Sequence, residues 1–372
     1  MPELDTITIK GFKSIASIEE LKLGAINVLI GPNGSGKSNF IEVFSFLHAL
    51  REGRLKDYVA KAGGADKLLH FGSKVTPSME IHITFQEGVN QYQIVLATTE
   101  TDQLYPSAEV VYYWKRQRYS KPYSTGLIPR GTEAGISDQN SKGTANYVRV
   151  HLGKWRLYHF HDTSFNSPMK KTADVNDNRY LRPDGSNLAA FLYYLRQKHE
   201  TEYSLIRRTI QRVAPFFEDF LLEPQKLNPD KIRLEWKHKN SDAFFDASSL
   251  SDGTLRFMAQ ATLFLQPDAY RPSVILVDEP EIGLHPYAIT MLASLIKQAS
   301  VKTQVIVSTQ SPLLLDNFLP EDVLVADRLN GATQLTRLES AKLEKWLQNY
   351  SLGQLWEKNE LGGRPGGEKT YA

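Results

Sequence analysis

The chain has 372 residues, 41% of them hydrophobic and 23% charged, which is typical of a folded globular protein with two or three domains. It has no cysteine, which excludes disulfides and thiolate metal sites, and its net charge of +2 does not require a polyanionic partner. No apolar run has the length of a membrane span, and the start MPELDTITIK does not resemble a signal peptide, so we expect a cytoplasmic protein without a membrane segment.

The first informative elements are a strand, a glycine-rich loop and a helix. Ile26 to Ile30 is a short apolar strand, Gly31 to Ser38 reads GPNGSGKS, and Asn39 to Leu50 has apolar residues at helical spacing. A P-loop needs this order, because glycines let backbone amides turn toward phosphates and the helix presents its positive N-terminus. We expect Lys37 to reach the β- and γ-phosphates of ATP and the Ser38 hydroxyl to hold Mg²⁺. The predicted nucleotide-binding residues of this loop are Asn33, Gly34, Ser35, Gly36, Lys37, Ser38 and Asn39.

The next part of the chain predicts an antiparallel β-subdomain and then a short helical lobe. The predicted strands are Met79 to Phe85, Tyr92 to Leu96, Glu109 to Trp114, Tyr147 to Leu152 and Trp155 to Phe160. Ser186 and Asn187 offer an N-cap for a first helix, and a second helix is predicted from about Glu202 to Val213.

Two groups of basic residues occur in these regions. They are Lys115, Arg116, Arg118 and Lys121, which lie between tyrosines, and Arg207, Arg208 and Arg212, which recur at helical spacing. Either group fits a solvated surface, and either fits a DNA-binding surface whose affinity would fall steeply with salt. Both interpretations stay open at this point.

A second phosphate-site motif lies at Val274 to Pro286, which reads VILVDEPEIGLHP. Its first residues form a buried strand, and two adjacent acids follow at the strand end, where metal and water would lie. Asp278 is expected to be the Mg²⁺ ligand. Glu279 is expected to be the general base that activates the attacking water.

Between these motifs, Leu250 to Phe257 reads LSDGTLRF. It resembles the ABC-class signature in its RecF, SMC and OLD-like form, and the order of the three motifs is similar to that superfamily throughout. The resemblance implies that Ser251 and Gly253 bind the γ-phosphate of ATP held by the other subunit of a head-to-tail dimer. A serine N-cap followed by a glycine turn is compatible with that role.

The stretch Val305 to Pro312, VIVSTQSP, departs from the superfamily pattern. The resemblance implies a switch histidine that contacts the γ-phosphate, and Gln310 stands at that position. An amide can donate to a phosphate oxygen or position water, but it cannot carry a proton as imidazole can. Gln310 is therefore predicted to be a catalytic phosphate sensor, and a purely structural turn is the alternative.

Two further site residues follow from the resemblance alone. The run YHFHDTS, Tyr158 to Ser164, occupies the position of the Q-loop, so His161 or Asp162 is expected near the metal and the γ-phosphate. A turn with an Asx cap is the alternative interpretation. In IKGFKSI, Ile9 to Ile15, Lys13 is the basic residue expected to approach the nucleotide.

The ending LGGRP, the run DGSN and YHFHDTS together resemble a group of compact bacterial ATPases without a coiled-coil arm. The implied fold is an α/β P-loop ABC-type ATPase head with an antiparallel β-subdomain and a short helical lobe. The predicted domains are an N-terminal ATPase lobe (1–165), the helical lobe (166–249), the signature, Walker B and switch region of the head (250–340), and C-terminal helices with a flexible tail (341–372). No nuclease-like domain is expected after residue 340, unlike in full-length OLD proteins.

The resemblance implies an ATPase with ATP and Mg²⁺ as cofactors, acting as a dimeric switch or an assembly of dimers. A separately encoded effector, gated in defence against phage or foreign DNA, is the partner we expect first. A RecF-like repair ATPase that binds DNA directly is the alternative. A transporter subunit fits least, because such subunits usually carry a signature glutamine that is absent here.

Overall fold

The computed structural model describes residues 3–362, which divide into two compact units. The first unit contains the described residues up to Arg156 together with those from Leu319 onward, and the second is Leu157–Phe318. The domain boundaries expected after residues 165, 249 and 340 stay a prediction. Most of the predicted flexible tail lies outside the described residues.

The helices and strands follow one another in chain order. The first part of the chain forms β1 Leu4–Phe12, β2 Ile15–Lys22, β3 Ile26–Ile30, α1 Lys37–Arg51, α2 Leu55–Ala62, β4 Ser78–Phe85, β5 Asn90–Thr98, β6 Leu104–Tyr113, β7 Tyr123–Gly126, α3 Gly143–Leu152 and β8 Trp155–Tyr158. The second unit continues with β9 Ala173–Asp174, α4 Leu188–Lys198, α5 Glu200–Val213, β10 Phe217–Leu221, β11 Lys231–Ile232, β12 Glu235–His238, β13 Phe244–Asp246, α6 Asp252–Leu265, β14 Val274–Asp278, α7 Pro286–Ser300, β15 Gln304–Thr309 and α8 Pro312–Leu315. The chain then returns to the first unit with β16 Val323–Leu329, β17 Ala332–Arg337, α9 Ser340–Leu347 and α10 Leu352–Glu357. Short 3₁₀ turns lie at Ala65–Lys67, Gly135–Ser137, Pro168–Lys170, Ala247–Ser249 and Pro320–Asp322.

The first unit contains the predicted antiparallel sheet, with strand order β2-β1-β4-β5-β6-β7. Side chains of β4 and β5 alternate between buried and partly exposed positions, as expected of a sheet that covers a core with one face. The strands predicted at 79–85, 92–96 and 109–114 are confirmed, with ends that differ by no more than five residues.

One predicted strand is wrong, because Tyr147 to Leu152 belongs to the helix α3. Ala145, Val148 and Leu152 are its buried residues, at a spacing that places them on one helical face. Tyrosine and valine are enriched in strands, but this preference depends on context, and packing of this face overrides it.

A second sheet segment of the first unit positions the phosphate loop. The strand β3 is completely buried and pairs in parallel with β16, which in turn pairs antiparallel with β17. The helix α1 buries Phe40, Phe44 and Leu47, so both elements that flank the loop are fixed by apolar packing.

The second unit is built around the parallel pair β14 and β15. Both strands are buried over nearly their whole length, as expected of parallel strands covered on both faces. Their register runs from Val274 opposite Gln304 to Asp278 opposite Ser308, so the acid and the hydroxyl end side by side.

The predicted helical lobe is present as α4 and α5. Asn187 precedes α4, but its side chain makes no capping bond. It instead accepts from the Arg182 amide at 2.8 Å and donates to the Asp177 and Tyr180 carbonyls at 2.8 Å, which fixes the preceding loop. None of the helices in residues 3–362 is long and apolar enough to cross a membrane.

Candidate functional site

Close backbone packing explains two glycines of the phosphate loop. Gly31 has a φ of 150°, and a Cβ atom there would lie 2.3 Å from the Ala326 carbonyl oxygen. Gly36 has a φ of 101°, and its Cβ would lie 1.9 Å from Thr333 Oγ1. Only glycine therefore lets the loop follow this path beside β16 and β17.

The loop presents polar groups of the kind that bind phosphate. Lys37 is buried, and its ammonium donates to the carbonyl oxygens of Gly31 at 2.7 Å and Pro32 at 3.1 Å. The N-cap residue of α1, Gly36, provides no side-chain cap, so the first-turn amides face an anion site without competition from a side chain. Ser35 Oγ is buried without a hydrogen-bond partner in the structure. These features fit a bound polyphosphate.

A cavity of about 700 Å³ adjoins the loop within the first unit. Its lining includes Lys13, Ser14, Asp66, His70 and Arg328. Ser14 connects the cavity to the loop, because its hydroxyl accepts from Asn39 Nδ2 at 2.7 Å and lies 2.7 Å from Thr333 Oγ1. Thr333 Oγ1 also donates to the Ser35 carbonyl at 2.8 Å. The volume of the cavity lies in the range of small-molecule sites.

Lys13 lines this cavity in a left-handed backbone conformation with a φ of 49°. Its ammonium forms an ion pair with Glu42, and its carbonyl oxygen bonds His70 Nδ1 at 2.7 Å. The role predicted for Lys13 toward the nucleotide stays a prediction. His70 was not identified from the sequence, where nothing marks it as a neighbour of Lys13.

The acid pair lies at the end of β14 in the second unit. Ser308 Oγ donates to the Asp278 carboxylate, and the Glu279 amide donates to the Ser308 carbonyl oxygen at 2.9 Å. Glu279 has a φ of 41°, a left-handed conformation that is uncommon for a residue with a side chain. The turn after Asp278 thus sets the direction of the Glu279 carboxylate.

The polar residues at the end of β15 serve as hydrogen-bond donors to the acids at the end of β14 and in the turn after it. Gln310 Nε2 donates to the Glu279 carboxylate. Thr309 Oγ1 and the Gln310 amide both donate to Glu281 Oε1, at 2.5 Å and 3.0 Å. Each of the three acids therefore accepts from a different side chain at the end of β15. Ser308 donates to Asp278, Thr309 to Glu281, and Gln310 to Glu279.

Glu281 is a site residue that the sequence analysis missed. It is buried, and Oε2 of its carboxyl has no hydrogen-bond partner in the described structure. Burial raises its pKa, and the neighbouring charge of Glu279 acts in the same direction, whereas the bonds from Thr309 and Gln310 oppose the rise. Glu281 therefore ties the end of β15 to the turn after β14.

The loop containing His161 and Asp162 reaches the acid pair through the histidine. His161 Nε2 donates to the Asp278 carbonyl oxygen at 2.6 Å, which places the proton on that nitrogen. Asp162 is exposed, and its Oδ1 accepts from the Ser164 amide at 3.0 Å as an Asx turn does. The proposed role of Asp162 toward a metal remains untested.

Arg256 in α6 joins three segments around this site. Its guanidinium donates to the carbonyl oxygens of Ile282 at 2.8 Å and His161 at 2.8 Å, and to Phe160 at 3.3 Å. Five fixed donors let one arginine bridge several carbonyls in this way. The signature helix, the His161 loop and the loop after Glu279 are therefore held together by one side chain.

The two signature residues have different local roles. Ser251 is exposed and caps α6 by accepting from the Thr254 amide at 3.2 Å. Gly253 is fixed by packing, because a Cβ atom there would lie 2.1 Å from the Gly283 carbonyl oxygen. Any replacement of Gly253 would disturb the fold, so Ser251 is the better position for testing the predicted contact with a second subunit.

The predicted magnesium ligands fit that ion by their chemistry. Mg²⁺ prefers hard oxygen atoms, and it is usually bound through one or two side chains plus phosphate oxygens and water. The Asp278 carboxylate and the Ser38 hydroxyl are donors of this type. Within residues 3–362 there is no cluster of three or more His, Cys, Asp or Glu side chains that would hold a metal without a nucleotide.

The predicted site residues fall into two sets. Lys13, the phosphate loop and Asn39 belong to the first unit, and Asp162, Ser251, Gly253, Asp278, Glu279 and Gln310 belong to the second. Within the second unit the structure places Glu279 and Gln310 in direct contact, and it places His161 on Asp278.

A protein-family model described as "AAA domain, putative AbiEii toxin, Type IV TA system" matches residues 26–316. The matched part contains the phosphate loop, the signature, the acid pair and the polar end of β15. It is more than half of the chain.

Several solved structures are similar in fold. The Smc head bound to the C-winged helix domain of ScpA has a TM-score of 0.61 and 17% identity, covering 92% of this chain and 100% of that chain. The Smc head from Pyrococcus furiosus, bound to the C-terminal domain of ScpA, has a TM-score of 0.57 and 15% identity, covering 94% and 99%. The predicted α/β ATPase-head fold is confirmed by this similarity.

Curated relatives match over shorter stretches. The chromosome partition protein Smc of Mycobacterium tuberculosis is 31% identical over 113 residues, covering 24% of this chain and 9% of that protein. Urease accessory protein 2 of Cryptococcus neoformans is 23% identical over 261 residues, covering 59% and 20%. The chain thus spans a small part of the length of these relatives.

Glu281 gives a prediction about stability and pH. Its raised pKa means that the folded protein holds this proton more tightly than the unfolded chain. The contribution of Glu281 to stability should therefore decline as pH rises from its unfolded pKa through its folded pKa, and Glu281→Gln should remove this contribution to the pH dependence. Urea denaturation measures the free energy of unfolding of both proteins. The value for Glu281→Gln minus the value for wild type should be larger at pH 7 than at about pH 4.

Two further variants control this experiment. Glu281→Ala leaves the Thr309 hydroxyl and the Gln310 amide without their acceptor, and should cost about 1–3 kcal/mol at pH 7. Glu344→Gln alters an exposed glutamate and should behave as wild type. A stability difference between Glu281→Gln and wild type that does not change with pH would contradict the assignment.

Proposed function

The chain belongs to the AAA domain family of AbiEii type and is an ABC-type ATPase of the RecF and SMC superfamily, and on this premise we propose that it is an ATP-driven dimeric switch. The observation that carries the proposal is the pairing of Glu279 with Gln310 beside Asp278 in a chain that also has a complete phosphate loop. ATP is the proposed substrate, and Mg²⁺ its metal.

The first unit supplies the binding of the nucleotide. The amides of the phosphate loop and of the start of α1, together with Lys37, neutralise the phosphates. Lys37 exchanges its carbonyl partners in the loop for phosphate oxygens. The cavity beside Ser14 accepts the nucleoside, with Lys13 at its wall.

The second unit supplies the hydrolytic groups. Glu279 accepts a proton from the attacking water as that water forms a bond to the γ-phosphorus and the bond to the β-phosphate oxygen breaks. Gln310 holds the Glu279 carboxylate in place and donates toward the γ-phosphate or its water. Asp278 of this unit and Ser38 of the first unit are the proposed Mg²⁺ ligands, and the ion would supply positive charge to the phosphate oxygens.

Exposure of the Ser251 cap supports the dimeric part of the proposal. Its hydroxyl lies at the start of α6, where a helix N-terminus favours an anion. A γ-phosphate held by a second copy of the chain can reach this position. Closure of the dimer therefore depends on ATP.

A separately encoded protein is the proposed reader of that closure. The family description names a toxin of a type IV toxin–antitoxin system, which is compatible with a role in defence against phage or foreign DNA. The Smc heads of known structure bind a separate protein, ScpA, which supports the proposal that this ATPase also acts through a separate protein.

The ATPase part of the proposal is tested by two substitutions. Glu279→Gln should lower turnover by roughly two to four orders of magnitude and leave ATP binding intact, because the amide cannot accept the proton. Lys37→Ala should abolish binding itself. Steady-state phosphate release and titration with a fluorescent ATP analogue measure the two effects, and undiminished turnover in Glu279→Gln would remove Glu279 from the role of base.

The dimeric part is tested in the slow Glu279→Gln background. With Mg·ATP this protein should form a dimer or an assembly of dimers, seen by light scattering, and an added Ser251→Arg should prevent it by filling the phosphate position with a bulky cation. Ser294→Arg places the same charge on an exposed position of α7 and is the matched control. Dimerisation of the Ser251→Arg protein with ATP would exclude the shared site.

A further inference from the structure

The hairpin formed by β6 and β7 projects an unpaired group of cations. β7 is the edge strand of the antiparallel sheet, and the hairpin tip runs from Trp114 to Pro122 between the paired residues Tyr113 and Tyr123. Lys115, Arg116, Arg118 and Lys121 are all exposed there. None of the ion pairs among the described residues includes any of these four cations.

The charge of this segment is entirely of one sign. From Val110 to Thr132 the sequence contains no aspartate or glutamate, and the nearest acid on one side, Glu109, is buried beneath the sheet. Glu109 accepts from the amides of Gly135 and Ile136 and is therefore engaged within the core. The hairpin tip is positive although the whole chain has a net charge of only +2.

Aromatic rings are interleaved with these cations. Tyr119 packs edge-on against Tyr123 at a centroid distance of 5.0 Å and lies 6.4 Å from Tyr113. Tyr123 is 61% exposed. The Arg116 guanidinium lies 4.5 Å from the Trp114 ring centre, and that of Arg118 lies 5.5 Å from the Tyr119 ring centre. The tip therefore presents ring faces and guanidinium planes side by side.

The tip is held in shape by its own hydrogen bonds. The Trp114 indole donates to the Tyr119 carbonyl oxygen at 3.0 Å, and the Trp114 amide donates to Val89 at 2.7 Å. Arg118 and Tyr119 donate their amides to the Lys115 carbonyl oxygen at 2.8 Å and 3.0 Å. The backbone of the tip and the Trp114 ring are thus ordered before any partner arrives, which reduces the entropy lost on binding.

The other basic group of the chain lacks these features. Arg207 in α5 forms an ion pair with Asp219 at 3.0 Å. Arg208 donates to the Ser204 carbonyl oxygen of its own helix at 3.2 Å. That helix therefore offers fewer unengaged cations than the hairpin.

We propose that the hairpin tip, Tyr113 to Tyr123, binds a single-stranded nucleic acid. Cations contact the phosphates, and the exposed tyrosine and arginine planes stack on unpaired bases, which a duplex does not offer. A protein partner with an acidic surface would meet the cations but would leave the rings without stacked bases. This site is separate from the ATPase residues and holds whether or not the proposed switch function is correct.

The full chain should be tested with a fluorescein-labelled 20-nucleotide oligothymidine, by fluorescence anisotropy at several salt concentrations. We expect binding that falls with salt by about 0.7 in the log–log slope for each phosphate contact. Arg116→Ala with Arg118→Ala should weaken binding at least tenfold and reduce the slope. Tyr123→Ala should weaken binding severalfold without changing the slope, because it removes stacking and not charge.

Matched controls separate this site from general charge effects. Arg208→Ala and Tyr180→Ala change an exposed arginine and an exposed tyrosine elsewhere and should leave binding unchanged. All variants should keep wild-type ATP turnover, which shows that they are folded. An oligouridine of the same length should be bound with the same dependence on the hairpin variants, because the stacking surface makes no contact that requires a deoxyribose.

Three outcomes would overturn the proposal. The first is that the oligonucleotide does not bind at low salt. The second is that the control variants weaken binding as much as the hairpin variants do. The third is that a blunt duplex of 20 base pairs binds as tightly as the single strand. The last result would assign the surface to duplex phosphates and remove the stacking role of the tyrosines.

Discussion

The parallel register of β14 and β15 is the constraint on which the proposed hydrolytic site depends. Asp278 lies opposite Ser308, so the residues that follow each strand leave the sheet next to one another. Each polar side chain at the end of β15 then meets one acid of the VDEPE segment. The three carboxylates are therefore oriented by hydrogen bonds from side chains at the end of the neighbouring strand.

This arrangement explains why Glu279 is held in an unusual backbone conformation. Its φ of 41° directs the carboxylate toward Gln310, and the Ser308 carbonyl oxygen fixes its amide. The buried Glu281 accepts from both Thr309 and Gln310 and ties the two strand ends together. Arg256 adds the His161 loop and the signature helix to the same framework. A substitution at any of these positions is expected to displace the side chains of Glu279 and Gln310.

Local motifs were predictable from the sequence, and contacts between distant segments were not. GPNGSGKS lies between elements whose own pattern identifies them, so β3 and α1 are found where they were expected. Glu281 was missed because its partner Thr309 is 28 positions away and only the sheet register joins them. The cavity near Ser14 was missed because its lining comes from separate segments of the chain. Tyr147 to Leu152 was misassigned because its β-branched residues favour a strand, whereas its buried positions are spaced as in a helix.

The central claim is that Gln310 acts on hydrolysis by holding the carboxylate of Glu279. A double-mutant cycle for kcat tests it directly, with wild type, Gln310→Ala, Glu279→Gln and the double variant. We expect Gln310→Ala to lower kcat by about tenfold or more in the wild-type background and by a clearly smaller factor in the Glu279→Gln background, since the carboxylate that Gln310 positions is already lost there. Equal fold-changes in both backgrounds would show that the two residues act independently and would contradict the account.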